Sequence, residues 1–316
     1  MTHGLDLREE TLAFNEQLRQ TLAGLPPIET LPLADVRRGP YEGRSIFPRL
    51  VFAESARWVD VPSRGGGLRA RVFAPEHEPA GVYVHIHGGG WTIGAADQQD
   101  LLLDAFAREA GVVVASLDYR LAPEHPYPAA ADDCEDAVLW LLDGGARELG
   151  APPVLAIGGE SAGAHLSAVT LLRLRDRHDA VGAFRAANLV YGAFDLSGTP
   201  SRRCVADDAL VLTDDGMNWF NDNFLPGIDL EARRVPDISP LYADLHGLPP
   251  ALFSVGTADP LLDDTLFMAA RWQAAGNETD LGVYADGIHA FNLFPIGIAA
   301  AANGAQAAFL RSAFAG

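Results

Sequence analysis

The chain has 316 residues, 48% of them hydrophobic and 21% charged, which suits two ordinary domains or one large α/β domain with an appendage, and excludes a disordered, coiled-coil or collagen-like chain. With 23 basic and 42 acidic residues the formal charge is −19, so a nucleic-acid backbone or an anionic lipid surface is repelled over most of the molecule. Every basic residue is an arginine, and the lack of lysine removes Schiff-base catalysis, a P-loop lysine and a Ser-x-x-Lys mechanism.

The N-terminus shows none of the basic and apolar regions of a signal peptide, and no apolar run approaches the ~18 residues of a spanning helix. The two cysteines, Cys134 and Cys204, read as inert thiols in a reducing compartment. The expectation is a cytoplasmic protein with neither nucleic-acid nor membrane partners.

In chain order, Leu7, Phe14, Leu18 and Leu22 recur at near-helical spacing, with Asp6 and Glu9 as a capping pair and Gly24 as a stop. Pro26, Pro27, Pro32, Pro40 and Pro48 then make residues 25–50 a loop wrapped over something else. From Trp58 onward come short apolar runs: Trp58–Val61, Leu68–Phe73, Gly81–Ile86, Val112–Leu117, Val154–Ile157, Ala187–Tyr191, Ala251–Val255 and Leu281–Tyr284. The first two are joined by a glycine-rich hairpin signal, the later ones by helix-length crossovers, which predicts eight strands in a mostly parallel sheet flanked by helices. Between Gly198 and Pro240 that rhythm stops, and a helical stretch from Thr213 to Phe224 carries Met217, Trp219, Phe220 and Phe224. Four segments follow: 1–50 and 198–240 as two parts of a helical cap, 51–197 and 241–316 as the two parts of a catalytic domain. The cap is expected over the carboxyl ends of the strands, where open α/β sheets place their ligand site.

The chemistry-bearing residues cluster at strand ends. Gly159-Glu160-Ser161-Ala162-Gly163 follows one strand and opens a helix, the setting of a strained turn that thrusts a nucleophilic serine hydroxyl outward. Gly88-Gly89-Gly90 follows another strand, and successive glycines let N–H groups face a cavity, so Gly88 and Gly89, with Ala162, are expected to form an oxyanion hole. His289 lies after the last strand and Asp259 after the one before it, in the order Ser, acid, His; Asp263 is the alternative acid. His165, one turn into the helix behind Ser161, supports rather than reacts. His85 and His87 share a strand face without a further ligand at metal spacing, so His87 reads as steadying the glycine loop and no metal is assigned.

These motifs resemble the hormone-sensitive-lipase family of α/β-hydrolases, the bacterial family IV carboxylesterases. The resemblance rests on His87-Gly88-Gly89-Gly90-Trp91, the run from Tyr119 to Ala130, the serine pentapeptide, Asp259-Pro260-Leu261-Leu262-Asp263-Asp264 and His289-Ala290-Phe291, spanning about Val82 to Phe294. Glu160, Ala164 and Ala290 depart from the family's usual residues. The resemblance implies an α/β-hydrolase fold with a two-part cap, a Ser161-His289-Asp259 triad, no cofactor and a small-molecule ester as partner. Expected substrate contacts are Trp91, Phe14, Trp219 and Phe220, around a pocket for short acyl esters. The same triad on an amide, thioester or lactone, or a non-catalytic binding protein on the same fold, are the rival readings. A homodimer is left open.

Overall fold

Runs of valine, isoleucine and leucine bounded by glycine, proline and acidic turns become strands because branched side chains pack well on a pleated, covered surface. In this computed structural model, which describes residues 2–206 and 208–315 and side chains from residue 7, eight strands are found among the described residues. They are β1 (Arg57–Asp60), β2 (Arg69–Phe73), β3 (Val82–Ile86), β4 (Val113–Leu117), β5 (Leu155–Glu160), β6 (Phe184–Val190), β7 (Ala251–Gly256) and β8 (Thr279–Tyr284). They form one sheet of order β1-β2-β4-β3-β5-β6-β7-β8. β2 pairs antiparallel with β1 and β4, and every other pairing is parallel. Every residue of β3, β4, β5 and β7 is buried, the mark of a sheet covered on both faces.

The covering helices, in chain order among the described residues, are α1 (Thr2–Leu22), α2 (Leu33–Arg38), α3 (Asp100–Ala110), α4 (Ala129–Trp140), α5 (Ala146–Glu148), α6 (Ala162–His178), α7 (Pro200–Arg203), α8 (Asp214–Phe224), α9 (Leu262–Ala274) and α10 (Gly297–Phe314). α3 and α10 pack together over Phe73, Tyr83, Phe106 and Leu310, while α4 and α6 cover the opposite core around Val84, Ile157 and Leu171. α6 is buried without a break from Ala162 to Leu174, so the part of the helix behind the serine is held on all sides. None of the helices among the described residues is long and apolar enough to cross a membrane.

Two local expectations are corrected. α1 starts at Thr2, so Asp6 and Glu9 lie inside the helix and do not cap it. The proline-rich arm contains α2 and two 3-10 turns, because Pro32 and Pro40 sit at helix starts, where a missing N–H costs nothing. In the insertion, α8 begins at a true cap: Thr213 Oγ1 accepts the Gly216 N–H at 3.1 Å, with Asp214 and Asp215 in the first turn. The N-terminal segment meets the insertion directly. Arg19 on α1 bonds the Asp208 carbonyl at 2.7 Å, and the turn Ile28–Thr30 touches α8.

Candidate active site

β5 ends in a turn too tight for ordinary side chains. A Cβ on Gly159 or on Gly163 would stand 1.8 Å from the Ile86 carbonyl oxygen at the end of β3. Between them Ser161 is held at φ +55°, ψ −117°, its N–H bonded to the Val190 carbonyl at 2.9 Å. That strained conformation places Oγ at the open end of the sheet.

The loops after β7 and β8 bring the next two residues to it. A Cβ on Gly256 would stand 2.0 Å from the Gly287 oxygen, and the Ala258 N–H bonds that oxygen at 3.0 Å. Glycine at both positions lets the loops touch. His289 Nε2 then lies 3.0 Å from Ser161 Oγ, and His289 Nδ1 lies 2.9 Å from Asp259 Oδ2 and 3.1 Å from Oδ1. A carboxylate at Nδ1 puts the imidazole proton there and leaves Nε2 to accept from the serine hydroxyl. Asp259 and His289 are buried, and Asp259 Oδ1 also accepts the Leu261 N–H at 2.8 Å. Asp263 points elsewhere: its carboxylate accepts the Ser201 N–H at 2.8 Å.

Gly88, Gly89 and Gly90 line the same cavity as Ser161 and His289. Among the described residues no backbone carbonyl engages the N–H of Gly88, Gly89 or Ala162, which opens α6. His87 supports this loop: its Nδ1–H donates to the Gly88 carbonyl at 2.7 Å, and its ring stacks on Tyr119 at 4.3 Å. Burial pushes the His87 imidazole down to about 4. His85 turns to other partners, with Nδ1 2.9 Å from Ser116 Oγ and Nε2 3.0 Å from Glu160 Oε2. Burial works against the Glu160 charge, but the His85 charge and hydrogen bond, with Gln99, hold its carboxyl below the ordinary range. Sequence reasoning missed this buried group under the serine. Glu160 next to the nucleophile and His85 two residues before the loop were visible, but their pairing crosses two strands.

The cavity measures about 1690 Å³. One wall comes from Leu22, Ile28 and Phe47, the other from Leu212, Met217 and Phe220. Of the four expected substrate contacts, Phe220 and Trp91 line it. The Phe220 ring covers the loop so closely that a Cβ on Gly90 would stand 2.2 Å from it. Trp91 is nevertheless buried, stacked on Phe224 at 4.5 Å. Phe14 and Trp219 are corrected. Phe14 packs on Phe294 at 4.9 Å because its face of α1 looks toward α10 and the loop before it, and Trp219, one residue round the helix from Phe220, leans on that ring from outside the cavity at 5.0 Å.

The family described as alpha/beta hydrolase fold matches residues 83–293. Carboxylic ester hydrolase LipN of Mycobacterium tuberculosis is 37% identical over 251 residues, 78% of this chain and 66% of LipN. Among solved structures, the hyperthermophilic esterase from the archaeon Pyrobaculum calidifontis superposes with a TM-score of 0.85 at 32% identity, covering 96% of this chain and 98% of that one. A hormone-sensitive lipase from a metagenome library superposes with a TM-score of 0.82 at 28% identity, again over 96% of this chain and 98% of that one. With its eight-stranded sheet, its serine turn and these relatives, the chain belongs to the α/β-hydrolase fold family, in the branch of hormone-sensitive-lipase-like esterases.

Proposed function

We propose that this protein hydrolyses carboxylic esters of small molecules with Ser161, His289 and Asp259 as its triad. The observation that carries the reading is the continuous contact from Asp259 Oδ2 through His289 to Ser161 Oγ, 2.9 Å and 3.0 Å, in a cavity that Gly88 and Gly89 also line. Relatives named as ester hydrolases support the same chemistry.

Ser161 Oγ attacks the acyl carbon as His289 Nε2 takes its proton, and Asp259 holds the imidazole tautomer and steadies the imidazolium. The tetrahedral oxyanion is received by the N–H groups of Gly88, Gly89 and Ala162, each donor supplying about 3 kcal/mol of transition-state stabilisation. His289 then protonates the departing alkoxide, so the alcohol part of the substrate lies on the His289 side. Water, activated by the same histidine, hydrolyses the acyl-enzyme. The mechanism needs no metal or cofactor.

Residues 1–50 and 198–240 act in this reading as a two-part cap, the Arg19 to Asp208 bond being one of their direct contacts. Acyl chains of roughly two to six carbons are preferred, since Phe220 walls the cavity beside the glycine loop and each fitted CH₂ adds only about 0.8 kcal/mol. The cavity exceeds the ~300–1,000 Å³ of an ordinary ligand pocket, and its remaining volume takes a bulky alcohol moiety.

The test is hydrolysis of p-nitrophenyl acetate and butyrate by purified protein. Ser161→Ala is expected to lower kcat by about 10⁴ or more and to abolish stoichiometric labelling by a serine-directed organophosphonate. Turnover retained in that variant overturns the assignment. Matched amide, thioester and lactone substrates assayed in parallel separate those chemistries from ester hydrolysis.

A further inference from the structure

Three consecutive residues after β3 take a left-handed backbone: Gly89 at φ +110°, Gly90 at +55° and Trp91 at +56°. The two glycines do so freely, whereas a tryptophan must be held there by its surroundings. The surroundings are specific. The indole is buried and stacks on Phe224 of α8, interplanar angle 9°, and its Nε1–H donates to His165 Nδ1 at 3.1 Å. His165 sits on α6 one turn after Ser161, buried, with Nε2 2.8 Å from the Ile238 carbonyl.

An indole nitrogen can only donate, so His165 Nδ1 must accept and its proton must sit on Nε2, donating to Ile238. Burial pushes the His165 imidazole down to about 4, which keeps it in this neutral form near neutral pH. Both ring nitrogens are therefore committed, one to the glycine loop and one to the end of the insertion. The same helix carries Ser161 at its cap, Ala162 at its first position and His165 one turn on.

We infer that His165 is a positioning residue for ester hydrolysis, holding the Gly88–Gly89 N–H groups in register with Ser161 by accepting the Trp91 indole N–H. The inference rests on the reading of Gly88 and Gly89 as oxyanion donors. A misplacement of about 1 Å in such a site can cost about 10²-fold in rate, and loss of one donor about 10² to 10³. Through Phe224 and Ile238 the same contact ties the loop to both ends of the insertion's second half, so that the cap and the oxyanion hole are set by one side chain.

Four substitutions test it. His165→Phe fills the space without either bond; Trp91→Phe keeps the stack on Phe224 and removes only the N–H. His165→Asn keeps an acceptor near the Nδ1 position, and His165→Gln keeps a donor near Nε2. Both phenylalanine variants are expected to lower kcat for p-nitrophenyl butyrate about 10- to 100-fold with KM within about twofold, His165→Asn recovering most of the rate and His165→Gln little of it. A trifluoromethyl ketone, whose hemiketal oxygen occupies the hole, is expected to weaken in parallel. A loss confined to KM, an equal loss in His165→Asn, or Trp91→Phe within twofold of wild type overturns the role of His165. Should His165→Phe fail to fold, Trp91→Phe against wild type and His165→Asn decides the matter. Wild-type protein that neither turns over esters nor binds the ketone would overturn the functional reading itself.

Discussion

At the scale of single residues, Asp259 and Asp263 stand four apart in one acidic run, yet only Asp259 reaches His289. Asp259 lies in the turn after β7 that touches Gly287, while Asp263 has entered α9 and bonds the backbone of Ser201. Asp259→Asn is expected to lower kcat by about 10⁴ because the imidazole is then held in the wrong tautomer, whereas Asp263→Asn should stay within about tenfold of wild type. Steady-state kinetics on p-nitrophenyl butyrate check both, and the reverse order would assign the acid to Asp263. Next door, Ala290 occupies the left-handed region at φ +63°, a conformation that glycine adopts more freely than alanine.

At the scale of elements, the carboxylates around Arg173 and the buried Asp264 fasten the helices around the insertion, and the two respond to pH with opposite signs. Arg173 on α6 bonds Asp237 at 2.6 Å, Asp132 at 2.8 Å and Glu135 at 3.3 Å. Burial pushes Glu135 and Asp237 up, but hydrogen bonds from His178 to Glu135 and from Arg173 and Tyr127 to Asp237, with the arginine charges, hold both carboxyls below their ordinary range. A lowered carboxyl contributes stability above its unfolded pKa of about 4, and that contribution is lost as the pH falls through the folded value. Arg173→Met should cost up to about 3 kcal/mol near pH 7 by taking a partner from buried Glu135 and from the half-buried Asp237 and Asp132, and should flatten the acid limb of a urea-unfolding series below about pH 4. Asp264 on α9 behaves the other way. It accepts the N–H groups of Phe194 and Asp195 at 2.7 and 2.8 Å and the Thr199 hydroxyl at 2.5 Å, pinning the start of the insertion, and burial pushes it up to about 7. A raised acid binds its proton more tightly folded than unfolded, so its contribution falls as the pH rises from about 4 to about 7. Asp264→Asn, which can satisfy the same three partners with no charge, should remove that slope from the unfolding free energy while leaving stability at pH 4 little changed.

At the scale of the whole molecule, the N-terminal segment and the insertion converge over the strand ends and enclose far more space than a butyrate ester fills. On the proposed reading, chain-length preference depends on where the wall closes on the glycine loop beside the serine, and Phe220 over Gly90 is such a place. Phe220→Ala is expected to move the optimum of a p-nitrophenyl ester series from acetate and butyrate toward longer chains, with little change in thermal stability because the ring is only half-buried. An unchanged profile would place the limit on acyl length elsewhere in the cavity. α1 bears on the site from behind as well. Asn15 donates to the Asp286 carbonyl at 2.9 Å, three residues before His289, so this helix braces the histidine loop in addition to meeting the insertion.

Sequence alone determined the sheet, because its information is local: runs such as Val113–Leu117 and Ala251–Gly256 are apolar but for one serine each and are buried throughout, and crossover lengths dictate parallel pairing. It also put Ser161, Asp259 and His289 at neighbouring strand ends, where the structure brings them within bonding distance, since a tight turn needs glycine at Gly159 and Gly163 and strand-end loops announce themselves by spacing. Tertiary structure decided everything that depends on side-chain direction around a helix or on a partner from a distant element. Phe220 faces the cavity and Trp219 does not, although one residue separates them, because successive helical side chains diverge by about 100°. Glu160 with His85, Arg173 with Asp237 and His165 with Trp91 join residues far apart in the chain; the pairing of β3 with β5 brings the first pair within bonding distance, and the packing of α6 against the sheet and the insertion brings the other two.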